Sequence, residues 1–143
     1  MVNDLERDME CAKAGLLGHS ICLCKGEVII TDDRRGISPM MAFISEGKDL
    51  KGYSAADLIV GKAAAMLFVK AGIKNVFGKV MSKAGKDYLD RHGIPCSYDE
   101  LTDKIINRAG TDICPMEKTV TELEDAEEAY IELQKKLTSS SKN

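Results

Sequence analysis

The sequence has no surplus of positive charge: 20 Lys and Arg stand against 23 Asp and Glu, a net charge of −3 at neutral pH. The basic residues are scattered, so the electrostatic footprint that nucleic acid requires is missing and no nucleic-acid partner is expected. No apolar run approaches the roughly 18–20 residues needed to cross a bilayer. The N-terminal stretch MVNDLERDMECAKAG is acidic and helix-like, without the basic and apolar regions of a secretory signal. A cytoplasmic location without a membrane partner is the expectation. Five cysteines, an odd number with no C-x-x-C pair, fit a reducing compartment better than a disulfide scaffold. Also absent are a Gly-rich phosphate loop, an H-E-x-x-H motif and a Ser-His-Asp order, and His19 and His92 are the only histidines.

What is present is enough for a proper core: 143 residues of ordinary apolar and charged content. The reading is one domain over residues 1–137 and a disordered tail over 138–143. The chain is organised around Tyr53 to Gly72, YSAADLIVGKAAAMLFVKAG. Between Ser54 and Ala71 only Asp57, Lys62 and Lys70 are neither apolar nor small, which predicts a helix buried nearly all round. Ser54 would cap it with Asp57 closing the box, and Gly72 would stop it.

Around that stretch the order is α-β-β-α-α-β-α-β-(β)-α-α. A first helix runs to about Leu17, and two strands from His19 to Thr31 join at Lys25-Gly26. Ser38-Pro39 opens a short helix, and a strand covers Ile73 to Met81. Ser82 caps the next helix, Gly93 and Pro95 end it, and Cys96 to Tyr98 is a short strand. Asp99 to Asn107 reads as a turn or short helix followed by a strand from about Lys104. Cys114-Pro115 starts another helix. Asp125 caps a last one, whose stripe of Leu123, Ala126, Tyr130, Leu133 and Leu137 suits docking on the domain or on a twin subunit, so a homodimer is one expectation. Strand–helix–strand crossovers imply parallel pairs with helices on both faces, a three-layer α/β/α domain with a mixed sheet. Cys22 and Cys24, two apart, share one face of their strand, where free cysteines serve as small apolar fillers.

The segments AADLIVGKAAAMLFV, VMSKAGKDYLDRHGIPCSYD and IINRAGTDICPMEKTV, in that order, resemble an uncharacterised prokaryotic family, domain of unknown function 1893. The resemblance runs from about Ser20 to Ile131. It implies a cytidine-deaminase-like fold. Zinc deaminases carry H-x-E at one helix start and P-C-x-x-C at the next. On that pattern Ala55-Ala56-Asp57 and Met81-Ser82-Lys83-Ala84-Gly85 stand where the motifs would be, so the zinc ligands are missing and no metal or other cofactor is expected. A zinc site rearranged onto His19, Cys22, Cys24 or His92 is the remote alternative.

The expected partner is a small polar or anionic molecule, a nucleoside- or nucleotide-like ligand being one expectation. Asp57 falls at the general acid/base position that the resemblance implies, its other role being the cap with Ser54. Lys62, a lone charge in an apolar helix, is a candidate base or nucleophile, or else snorkels to the edge. Ser54, Ser82, Lys83, Asn107, Arg108, Cys114 and Glu117 complete the candidate site. Helix starts at Ser82 and Cys114 offer free N–H groups, and the loop pair Asn107-Arg108 can clamp an anion or an amide. Plain capping and loop hydrogen bonding are the competing roles. A non-catalytic interaction module using the last helix is the alternative function.

Overall fold

The computed structural model describes residues 3–106, 110 and 112–141. Asn3 caps α1 (Asp4–Gly15), its side-chain oxygen accepting from the Glu6 amide at 2.8 Å. Strands β1 (Ile21–Lys25) and β2 (Val28–Asp32) form the expected hairpin. Its turn falls on Gly26 and Glu27, one residue later than anticipated, with Gly26 at φ +60°, a left-handed angle that costs glycine nothing. Helix α2 (Ser38–Ser45) follows with Pro39 in its first turn.

The main correction concerns Tyr53 to Gly72. It is not one helix but a strand, β3 (Ser54–Val60), then Gly61, then a helix, α3 (Lys62–Ala71). Ser54 therefore caps nothing, and Asp57 lies mid-strand rather than in a first helical turn. The reason is physical. β3 is the central strand, and Ala55, Ala56 and Val60 are fully buried. A strand covered on both faces loses its polar alternation and reads like a buried helix. The break is Gly61, in an extended conformation before α3. The helical half was legible: Ala63 to Phe68 are buried all round, and Gly72 ends the helix at φ +80°.

Strand β4 (Asn75–Ser82) leads into α4 (Lys83–Arg91), with Ser82 capping as expected by accepting from the Gly85 amide at 3.0 Å. β5 (Cys96–Thr102) is longer than predicted; parallel pairing with β4 carries Asp99 to Thr102 along as strand, where a turn or short helix was anticipated. Of the strand expected from Lys104, one bridge remains, Ile106 to Ile113. Then come α5 (Pro115–Val120) and α6 (Ala126–Ser141), the latter begun by Asp125, whose carboxylate accepts from the Glu128 amide at 3.0 Å.

The sheet order is β2-β1-β3-β4-β5, with β1 antiparallel to both its neighbours and β3, β4 and β5 parallel. Helix α1 packs on one face against Cys22, Cys24, Ala56 and Phe77. The other face carries the main core, in which Leu23, Ala55 and Val76 meet Met66, Leu67 and Phe68 of α3 and Tyr88 and Leu89 of α4. The result is a mixed α/β/α sandwich. α6 packs on α3 through Ala129 and Leu133, both fully buried, while Leu123, Tyr130 and Leu137 of the expected stripe are partly buried against the same core.

Two helix starts touch through bare backbone. A Cβ on Gly85 would stand 2.9 Å from the Gly61 carbonyl carbon and 3.0 Å from the Val60 oxygen. Backbone cannot rotate away, so Gly85→Ala is expected to destabilise by about 1–3 kcal/mol. Urea unfolding checks this through a lower midpoint at unchanged slope.

Candidate functional site

The parallel strands β3, β4 and β5 end at one edge of the sheet, and α3 and α4 begin there. In open α/β sheets this carboxyl edge is where ligands enter, because loops and free helix N–H groups gather at it. Gly61 and Gly85 let the two helix starts approach until their backbones meet.

Across this edge lies α5. Its Glu117 reaches 55 residues back along the chain to α3: the amides of Lys62 and Ala63 donate to Oε1 and Oε2 at 2.7 and 2.9 Å. An anion at the positive end of a ten-residue helix is well placed. Gly61 makes room for it, since a Cβ there would fall 2.3 Å from Glu117 Oε1. Burial pushes the Glu117 pKa up, and the two amide bonds and the Lys62 charge only partly offset this. The Lys62 ammonium, nearly buried, donates to the Thr121 carbonyl at 3.1 Å and lies 3.5 Å from a Glu124 carboxylate oxygen.

A cleft of about 460 Å³ opens beside these groups. Lys62, Ser82 and Glu117 of the expected set line it, together with Arg91, Asp103 and Lys104. Arg91 is held by Asp87 at 2.8 Å and Glu124 at 2.6 Å. Lys83 points to Asp103 at 2.7 Å, an exposed pair. Cys114 precedes α5 without capping it through its side chain, and its amide donates to the Ile105 carbonyl at 2.9 Å. Asn107 and Arg108 lie outside the described residues. Arg91 and Lys104 escaped the sequence reading. The Asp87–Arg91 spacing was visible, but at four residues on a helix it reads as an ordinary solvated pair.

Ser54 and Asp57 take no part in lining this cleft. Ser54 begins β3 at the opposite, amino-terminal end of the parallel strands. Asp57 sits between Ile21 of β1 and Gly78 of β4 and accepts from the Ile59 amide at 3.4 Å. Correspondence with a deaminase motif at a helix start fails there, because Ala55-Ala56-Asp57 is strand. Among the described residues no group of three or more His, Cys, Asp and Glu side chains is arranged to hold a metal ion.

Burial raises the Asp57 pKa from 3.8 to about 8, against the opposing pull of the Ile59 and Leu58 amides. A folded value above the unfolded one favours the protonated form. The carboxyl's contribution to stability is thus intact below pH 4 and lost as pH rises to about 8. Asp57→Asn should therefore gain stability relative to the parent as pH climbs through that window. Denaturation at pH 4.5 and 8.5 (conditions either side of most of the change, chosen from the ~4-unit span between free and buried carboxyls) checks it, and an equal difference at both would refute the buried-acid reading.

No curated protein matches the chain. A crystal structure of a DUF1893 family protein (TM1506) from Thermotoga maritima is similar to it, at 27% identity and a TM-score of 0.82, covering 95% of this chain and 92% of that one. No helix among the described residues is long and apolar enough to cross a membrane. The model of the domain of unknown function DUF1893 matches residues 16–137, and on that extent the chain belongs to this family.

Proposed function

We propose that the chain binds a small anionic molecule, of nucleotide-like size and charge, in the cleft at the carboxyl edge of β3, β4 and β5. The observation that carries this is the carboxylate of Glu117 on the first amides of α3. The protein itself places an anion on one of the two helix starts that meet here. The neighbouring start, at Ser82, faces a cleft whose walls carry Lys62, Arg91 and Lys104 beside the carboxylates of Asp87, Asp103, Glu117 and Glu124. Among the described residues Lys62 and Arg91 are already committed to Thr121, Asp87 and Glu124, while Lys104 acts on Asp103 and Asp112 through charge.

The reading is binding, with turnover secondary. Lys62 would set the electrostatic field of the cleft, and Glu117, its proton affinity raised by burial, would be the acid–base group nearest a bound ligand. Asp57 has no role in it. The hairpin followed by three parallel strands supports a layering like that of the deaminases, and the reading keeps their site at the same sheet edge without their metal.

Thermal unfolding against nucleosides, nucleotides, sugar phosphates, amino acids and divalent metals tests the proposal. A ligand at about a hundred times its dissociation constant adds roughly 2.7 kcal/mol, several degrees for a domain of this size. A selective shift with a phosphate-bearing compound is expected, lost in Lys104→Glu and in a substitution of Ala84, which also lines the cleft, by the bulky Trp (Ala84→Trp). A shift that survives both substitutions would move the site elsewhere, and silence across the panel would remove the proposal.

A further inference from the structure

The other face of the sheet holds a cluster that the cleft does not use. Cys11 of α1 and Cys24 of β1 bring their sulfurs to 2.7 Å, inside the contact distance of two unbonded sulfurs, and Cys22 lies 3.9 Å from Cys24. All five cysteines are free thiols. We propose that Cys11 and Cys24 are a redox modification site: a dithiol that a hydroperoxide converts to an intramolecular disulfide.

The contact is set by register between helix and strand. A helix rises about 6 Å in four residues and a strand about 6.6 Å in two, so the two run in step. α1 makes three contacts along β1 and its turn, separated by two such steps, the first of four helix residues and the second of three. Gly15 lies over Cys22, where a Cβ would stand 2.5 Å from the sulfur. One turn back, Cys11 meets Cys24. Another turn back, the buried carboxylate of Asp8 accepts from the Gly26 amide at 3.0 Å and from the Lys74 ammonium at 2.9 Å. Burial raises the Asp8 pKa, but those bonds together outweigh it and hold the group below its ordinary value, so the end of the register is pinned by a charge. Cys11 is thereby held against Cys24 from both sides.

The three thiols are not equivalent. Cys22 and Cys24 are fully buried, while Cys11 is partly open to solvent. A peroxide therefore meets Cys11 first. Its thiolate attacks one peroxide oxygen, the O–O bond breaks, an alcohol or water leaves, and Cys11 becomes a sulfenic acid. The Cys24 sulfur then attacks the Cys11 sulfur, the S–O bond breaks and water leaves with the Cys24 proton. The dithiol loses two electrons and the peroxide gains them. Register also places Cys24 opposite Ser54, and Ser54 opposite Asn75. Ser54 Oγ and Asn75 Oδ1 are buried without a hydrogen-bond partner among the described residues. Cys22, two residues along the same strand, has its Cα about 6.6 Å from that of Cys24, at the far limit for a bridge. The cross-element pair is favoured.

The test treats the full chain with one equivalent of hydrogen peroxide, then counts thiols under denaturing conditions and maps peptides without reduction. The expected result is loss of two of the five thiols, a peptide linking Cys11 to Cys24, and recovery of both thiols with dithiothreitol. Cys11→Ser, a change at a partly exposed helix position, should abolish the link, and Cys22→Ala should leave it intact. A bridge between any other pair, oxidation that stops at Cys11 as sulfinic acid, or five thiols surviving a dose that oxidises free glutathione would overturn the proposal.

Discussion

The carboxylate of Glu117 on the opening amides of α3 is the contact on which the carboxyl edge of the sheet depends. A helix begins with N–H groups that have no partner in its own turns. Here neither Gly61 nor any residue beside it supplies a cap, and α5 brings the acceptor instead. Hydrogen bonds to a charged group contribute about 1.5–3 kcal/mol each. Removing the carboxylate from water costs its charged form more than these bonds and the Lys62 charge return, which is why the pKa of Glu117 is raised rather than lowered. The same arrangement demands bare backbone at Gly61 and Gly85, since side chains there would occupy the space of the carboxylate and of the neighbouring helix start.

The remaining features of the edge follow from that contact. Fixing α5 over α3 brings Thr121 and Glu124 to the Lys62 ammonium and lets Glu124 accept from Arg91 of α4. The Tyr88 hydroxyl donates to the Glu124 carbonyl at 2.8 Å, closing the same corner from below. Charges far apart in the chain thus become walls of one cleft. On the opposite face the organising principle differs. There α1 is fitted to β1 by a matched rise, with Gly15, Cys11 and Asp8 falling on Cys22, Cys24 and Gly26 in turn. One face is built on the Glu117 contact, the other on short steps that end in the Asp8–Lys74 pair.

Legibility divides along the same line. Asn3, Ser82 and Asp125 are caps whose partners lie three residues away, and Gly72 and Pro39 act through their own backbone angles. Such effects are local, so the residues themselves determined those helix starts, the hairpin and the layered α/β class, but not the start of α3 at Lys62. The family likeness drawn from its motifs agrees with the match over residues 16–137. Tertiary structure alone decided that Ser54 to Val60 is strand: burial on both faces removes the alternation that distinguishes a strand from a buried helix. It also decided that Asp57 belongs to the sheet and that Glu117 belongs to α3, because a partner 55 residues away leaves no period or spacing to read.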